Sequence, residues 1–494
     1  MSLKIFNCLA VDMGAGSIRV MYSSIREGRI TLEEVHRFPN EIYRVDGHDR
    51  WDMEGIIRGI REGIAKAVRV SGNRIDSIGV DSWGVDFVLM DGSGSTVEQP
   101  VAYRDQRTEG MRELWNSRMS EQETFRRTGI NFYRFNTLFQ LLSLKGSQEL
   151  EQTAGILFIP GYINFLLSGV AVNELTIAST SQMLGVKGFS WDAAILGELG
   201  LDEGLLGQVD EPGRRLGPVI LPEAGSTGME LVSVCGHDTA CVVAAIPAEH
   251  PGFAYISAGT WCIVGIESTE PLLERKALET GFTNERGYGD TYRVLKNLTG
   301  LWLVQGLKAQ LKGDPSYAEL ERMTGQGPEA VQVIDPDDPV FYNPPDMKQA
   351  FDAYFRKTGQ AIPPVFSNYL RCAYDSICFS FRYHIELLEQ LSGRSIEILH
   401  VVGGGSQSDY LNQHIATICG REVLSGPVEG AALGNILVQA VALGKVGGQA
   451  AGRRLIGESF PVRCYRPHRL TEAVSRRYEL FIRMKENSSQ NISK

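Results

Sequence analysis

Two stretches of this chain, one near its start and one just past its middle, repeat a local plan that narrows the possible folds more than any other feature. Residues 5 to 12, IFNCLAVD, read as an apolar strand that ends in an aspartate and enters the turn MGAGS. A second strand, IRVMYSSI, follows, then a turn at Glu27-Gly28 and a third strand, RITLEEVHRF. A dinucleotide-binding glycine fingerprint needs a helix directly after the loop. Here the third glycine is missing and β-branched residues follow, so the turn joins two strands of an antiparallel meander. Beyond the meander, Ile56, Ile57, Ile60, Ile64 and Val68 recur at helical spacing, and the strand IDSIGVDSWG comes next. Residues 253 to 268, FAYISAGTWCIVGIES, are again strand, small-residue turn at Gly259-Thr260, and strand. An apolar helix from Asn368 to Glu389 then precedes IEILHVVGGGSQ. Four elements recur in one order, which predicts an α/β chain built by internal duplication of a β-β-β-α-β-α unit with insertions.

A chain of 494 residues exceeds what one hydrophobic core usually supports, so the two copies are expected as two domains. The linker-like PAEHPG, from Pro247 to Gly252, sets the expected boundary: 1–248 and 249–494, the second ending in a helix. The net charge of −10 leaves no basic surplus to offset phosphate, which argues against nucleic acid and anionic membrane as partners. No apolar run approaches the ~20 residues of a membrane span, and no basic-then-apolar export signal opens the chain, so a cytoplasmic protein is expected. The eight cysteines form no CxxC and are expected as free thiols; no cysteine pair lies at zinc-ligand spacing from a histidine. Nothing in the sequence sets the oligomeric state.

Three stretches carry candidate chemistry. VCGHDTA, from Val234 to Ala240, puts His237 and Asp238 between a small-residue turn and the apolar run CVVAAI. Asp238 reads either as the N-cap of a helix starting at Thr239 or as a carboxylate retained at the edge of a core for its chemistry. Asp12 closes a buried strand beside the backbone amides of the first turn. Such amides form an anion-binding concavity, and an adjacent carboxylate can hold a hydrated Mg2+ against a phosphate. Gly403, Gly404 and Gly405 allow close approach of backbone to a flat ring, or simply a tight turn.

AVDMGAGSIRVM, IDSIGVDSWGVDFVLMD, PVAYRDQRT, GHDTA, YISAGTW, YRVLKNLTGLWLVQ, VVGGGSQSDYLNQ and GPVEGAALGNILVQA span nearly the whole chain. In these motifs and their order the chain resembles the FGGY family of carbohydrate kinases. SWGVDFVLMD, YRDQRT and VLKNLTGLWLVQ point within it to the branch that acts on L-rhamnulose. The resemblance implies two actin-like (ribonuclease H-like) domains with the active site in the cleft between them, ATP as co-substrate with Mg2+, and a ketose as acceptor. It implies Asp238 as the base that takes the proton of the sugar's terminal hydroxyl, and Gly84, His237, Thr239 and Asn297 as sugar contacts. Ala15, Gly16, Ser17 and Arg19 of the first hairpin, Thr260 of the second, Gln305 and Gly404 are implied ATP contacts, and Asp12 would hold Mg2+ through water. Two departures stand out. The glycine of the first loop comes earlier than the family's Ala-Ser-Ser-Gly-Arg, at Gly16, and Ser408 replaces an Asn common in relatives. A kinase for L-fuculose or another ketose or polyol, and more distantly an actin-like nucleotide-dependent scaffold or chaperone, are the alternatives.

Overall fold

β1 (Phe6–Met13) is a central strand buried along all eight of its residues because both its faces are covered. Leu9, Val11 and Met13 pack with Ile56, Ile60 and Ile64, and Phe6, Cys8 and Ala10 with Ala432, Ile436 and Ala440, which is why the strand reads as a continuous apolar run. The computed structural model describes residues 5–72, 75–221, 225–327 and 331–492. β1 pairs antiparallel with β2 (Ser17–Arg26), and β2 with β3 (Arg29–Pro39) through a two-residue loop in which Glu27 and Gly28 both have positive φ, the hairpin geometry that suits strand twist. α1 (Met53–Ser71) starts at Asp52, whose carboxylate accepts from the Gly55 N–H at 3.0 Å, and ends at Gly72 in the left-handed conformation. Its Ile56, Ile60 and Ile64 face the sheet and are buried, as the helical spacing predicts. β4 (Ser77–Ser82) then runs parallel to β1, with Asp81 opposite Asp12. β5 (Arg214–Leu221) and β6 (Gly225–Ser233) complete a six-stranded sheet in the order β3-β2-β1-β4-β6-β5, and α2 (Asp238–Ala245) follows.

The second sheet repeats this arrangement. β7 (Phe253–Ala258), β8 (Trp261–Ser268), β9 (Tyr292–Thr299), β10 (Ile398–Val402), β11 (Glu422–Ser425) and β12 (Arg463–Tyr465) run in the order β9-β8-β7-β10-β11-β12, with a seventh strand, Thr283–Arg286, added at the β9 edge. The directions match as well. β1/β2 and β7/β8 are antiparallel, β1/β4 and β7/β10 parallel, β4/β6 and β10/β11 parallel, β5/β6 and β11/β12 antiparallel. Just as α1 precedes β4 and α2 follows β6, α3 (Phe366–Ser392) precedes β10 and α5 (Gly430–Ala442) follows β11; α4 (Asp409–Cys419) lies between β10 and β11, and α6 (Glu472–Ile492) is the C-terminal helix. The duplicated α/β unit read from the sequence is therefore the architecture of the chain. Seven cysteines are buried and Cys464 is exposed; all eight are free thiols. No described helix is long and apolar enough to cross a membrane.

The packing units are not contiguous in sequence. One comprises Met1–Glu249, Glu267–Val294 and Glu429–Phe460; the other His250–Ile266, Leu295–Val428 and Pro461–Lys494. The first unit's long segment ends at Glu249, and two later segments, Glu267–Val294 and Glu429–Phe460, also pack with that unit. The first carries Arg293 and Glu285, whose charges are paired around His237. The second carries α5, whose Gly434 packs directly on α2: a Cβ there would lie 1.8 Å from the Cys241 carbonyl oxygen. From α5, Asn435 donates to Asp81 at 2.6 Å and Gln439 to the Leu9 carbonyl at 2.8 Å, which ties the helix to β4 and β1.

Candidate active site

After β6 the chain descends through buried Val234 and Cys235 into Gly236-His237-Asp238, and this loop is fixed by its backbone before any side chain acts. The Gly236 N–H donates to the buried Glu174 carboxylate at 2.7 Å, its carbonyl accepts from the Ser82 N–H at 2.9 Å, and the His237 N–H donates to Thr176 Oγ1 at 3.2 Å. α2 begins at Asp238 itself, one residue earlier than the helix expected from Thr239. His237 occupies the N-cap position without a side-chain capping bond, so Asp238 is the first helical residue and not the cap. One carboxylate oxygen accepts the Thr239 N–H at 2.6 Å and lies 3.5 Å from His237 Nε2. The side chain is 28% exposed. Burial pushes its pKa up to about 6, with the charge of Asp12 adding to the rise and His237, the Thr239 N–H and Arg293 opposing it. A carboxylate with that pKa is largely ionised at neutral pH and still basic enough to accept a proton.

Behind His237 lies a charged group that sequence reasoning did not find. Arg293, fully buried on β9, donates to Thr239 Oγ1 and to the Arg286 carbonyl, lies 3.1 Å from His237 Nδ1, and pairs with Glu285 at 2.9 Å. Glu285 is in turn 3.1 Å from His237 Nδ1. Burial would raise the Glu285 pKa, but Arg293 and His237 hold it below the usual carboxylate range. A buried charge needs such partners. An arginine inside the strand YRVLKN was the available signal, since its charge has to be matched within the fold.

Gly84 faces the other edge of the imidazole. A Cβ at this position would lie 3.3 Å from His237 Nε2 and 3.3 Å from Thr180, so any side chain would crowd the ring. The structure thus gathers Gly84, His237, Asp238 and Thr239. Beyond Gly84 the chain makes a three-residue turn, with the Asp86 N–H donating to the Gly84 carbonyl at 2.9 Å and Val85 at φ 69°. That conformation costs a β-branched residue about 1–3 kcal/mol.

The first hairpin turn, with Ala15, Gly16 and Ser17, is closed by a Gly14 N–H to Ser17 carbonyl bond of 3.0 Å and held by Asn40, which donates to the Gly14 and Gly16 carbonyls. A Cβ at Gly16 would meet open space. Asp12 is buried and accepts from Arg19 at 2.5 Å; Arg19 also donates to Glu429, the residue just before α5. Burial raises the Asp12 pKa against the opposing Arg19. Asp81, also missed from sequence, is fully buried; burial first and then the Asp12 charge push its pKa well above the carboxylate range, and one of its oxygens has no hydrogen-bond partner. Asp12, Asp81 and Asp238 thus raise one another's cost of ionisation, a load that a cation nearby would relieve. Among the described residues no group of three or more His, Cys, Asp or Glu side chains forms a ready metal cage.

The remaining candidates lie in the second unit. Thr260, between β7 and β8, exchanges a 3.2 Å hydrogen bond with Gln305 of the helix Trp302–Lys308, and the Trp302 N–H donates to the Thr260 carbonyl. Gly404 opens a short 3-10 turn after β10 and is exposed, with open space where a Cβ would be. Asn297 is half-buried on β9. In YRDQRT, Asp105 lies 3.0 Å from His48 and Arg107 donates to Gln140.

Two family models match the chain in order: FGGY family of carbohydrate kinases, N-terminal domain, over residues 7–245, and the C-terminal domain of the same family over 254–443. A rhamnulokinase of Bacteroides thetaiotaomicron is 40% identical over 466 residues, covering 93% of this chain and 96% of that protein. A rhamnulokinase of Enterococcus faecalis is 38% identical over 481 residues, 96% and 97% of the two chains. Among solved structures, a ligand-bound xylulose kinase from Lactobacillus acidophilus superimposes with a TM-score of 0.81 at 16% identity, covering 97% of each chain, which shows the shared fold. With both domain models matched and relatives at 38–40% identity over nearly its whole length, the chain belongs to the FGGY family of carbohydrate kinases.

Proposed function

We propose that the chain transfers the γ-phosphate of ATP to the terminal hydroxyl of L-rhamnulose, giving L-rhamnulose 1-phosphate and ADP. The observation that carries this reading is the position of Asp238: a carboxylate at a helix start, with a pKa raised to about 6, grouped with Gly84, His237 and Thr239. The sugar identity rests on the relatives named rhamnulokinase. Asp238 accepts the hydroxyl proton as the hydroxyl oxygen bonds to the γ-phosphorus and the bond to the bridging oxygen of ADP breaks. A base of this kind contributes about 10²- to 10⁴-fold. Positioning supplies much of the remainder. Gly84, His237, Thr239 and Asn297 orient the sugar. Ala15, Gly16, Ser17, Arg19, Thr260, Gln305 and Gly404 hold the nucleotide.

Mg2+, brought with ATP, supplies charge neutralisation on the transferring phosphate, and Asp12 is the residue that would hold it through water. Such a reaction belongs in the cytoplasm, where ATP is available. The test is ADP formation from MgATP with and without L-rhamnulose, followed by kcat/KM across a panel that includes L-fuculose. Sugar-independent turnover would remove the kinase reading, and a higher kcat/KM for another ketose would move the substrate assignment.

A further inference from the structure

The turn at Val85 is an outlier with a large set of restraints. A β-branched residue at φ 69° persists only where the surroundings over-determine it. Here the Val85 N–H donates to Thr180 Oγ1 at 3.1 Å, and its carbonyl accepts from Thr137 Oγ1 at 2.6 Å. Asp86, fully buried, is the pin. One of its oxygens accepts from the indole N–H groups of Trp51 at 2.7 Å and Trp83 at 2.9 Å and from the Tyr103 N–H at 3.2 Å; the other accepts from Gln140 at 3.1 Å. The facing segment is constrained in the same way. Two residues beyond Thr180, buried Gln182 also has a positive φ, 65°, and its amide is engaged by Asn136 and by the Ile130 carbonyl. Both sides of the Gly84–Thr180 contact, against which His237 Nε2 lies, are therefore held away from relaxed backbone.

We propose that Val85 and Asp86 are positioning residues for the acceptor sugar. The turn, pinned by Asp86, fixes Gly84 against His237 and Thr180, and thereby sets the affinity for the ketose hydroxyl bound at that edge. The inference rests on the assignment of Gly84 and His237 to the sugar site. Neither Val85 nor Asp86 takes part in the chemical step. A glycine at 85 adopts positive φ without penalty but also samples other conformations, so it frees the turn. An alanine keeps the steric restriction on φ and loses only the two methyl groups.

The experiment compares Val85→Ala and Val85→Gly in the full chain, reading KM for the ketose and for ATP, kcat, and the melting temperature. Val85→Gly is expected to raise ketose KM about 10-fold, because small misplacements of binding groups are costly, with KM for ATP unchanged and, since glycine carries no strain at positive φ, a melting temperature at or above that of Val85→Ala. Val85→Ala is expected to change ketose KM by less than about 3-fold, as loss of packing alone predicts. Asp86→Asn sets an amide N–H among ring N–H donors and is also expected to raise ketose KM. In the double variant with Val85→Gly the effects should be non-additive, since both act on one turn.

Ketose KM values within 2-fold of each other for the two Val85 variants, or parallel rises in both KM values, would overturn the proposal, as would additivity in the double variant. If Asp86→Asn does not fold, the Val85 pair decides alone. A wild-type enzyme without ketose-dependent ADP formation would defeat the functional reading and this inference with it. A normal wild-type with indistinguishable Val85 variants defeats the inference only.

Discussion

Asp238→Asn separates two consequences of placing a carboxylate at the start of α2. In the folded chain its pKa is raised from 3.8 to about 6 by burial and by Asp12. A rise of about 2 units corresponds to about 3 kcal/mol at ~1.4 kcal/mol per unit. The folded state therefore binds the proton more tightly than the unfolded state, so the ionised carboxylate opposes folding. The penalty is nearly absent below pH 3.8, grows as pH rises, and is complete above about 6. Because the side chain is 28% exposed, solvent reduces it to about 1–2 kcal/mol.

Asparagine keeps an oxygen to accept the 2.6 Å bond from the Thr239 N–H and has no charge to desolvate. The variant should therefore be more stable than wild type at pH 7.5, with the gain fading toward pH 3.5, while phosphoryl transfer falls by at least ~10². Urea melts at the two pH values and ketose-dependent ADP release measure both. In the wild type, kcat/KM should lose about tenfold per pH unit below a midpoint near 6. A variant less stable at pH 7.5, or a gain that does not depend on pH, would refute this account of the carboxylate's environment, and near-normal turnover would remove Asp238 from the base role.

Arg293→Met removes the arginine that pairs with the buried Glu285 carboxylate and should destabilise by about 3–5 kcal/mol, seen as a lower urea midpoint; adding Glu285→Gln should restore part of the loss. Gly434→Ala drives a Cβ to 1.8 Å from the Cys241 carbonyl oxygen, so α2 and α5 must separate, and thermal melting should show a loss of at least about 1–3 kcal/mol. In the second unit, burial would raise the Asp337 pKa, but Lys485 and Lys296 hold it at about 2. Its contribution, at most about 3 kcal/mol for a shift of roughly 2 units at ~1.4 kcal/mol per unit, is present above pH 3.8 and is lost as pH falls to about 2. Asp337→Asn should therefore melt lower than wild type at pH 6, and the two should converge near pH 2.

The duplicated plan was legible because its signals are local. Strand, small-residue turn and strand recur at 6–26 and 253–268, and the helical spacing of Ile56, Ile60 and Ile64 has its counterpart in the helix before β10. Each depends on neighbours within a few residues, so the pattern survives when the chain is read as a string. The extent of the packing units was not legible, because what assigns 267–294 and 429–460 to the first unit is the pairing of Arg293 with Glu285 and His237 and the approach of Gly434 to Cys241.

The same distinction runs through the site. His237, Asp238 and Thr239 are adjacent in sequence and could be singled out together; Arg293, Glu174 and Asp81, which surround the loop, come from three other segments and carry no local mark of their target. Asp86 is the instructive case. It lies two residues from Gly84 within SWGVDFVLMD, yet its importance comes from donors at Trp51, Tyr103 and Gln140, contributed by separate segments of the chain. A buried carboxylate in a sequence announces that partners must exist, and only the fold says which ones. Where those partners also hold a β-branched residue at positive φ, the restraint exceeds what burying one carboxylate requires, and that excess is the ground for proposing Asp86 and Val85 as positioning residues for the sugar.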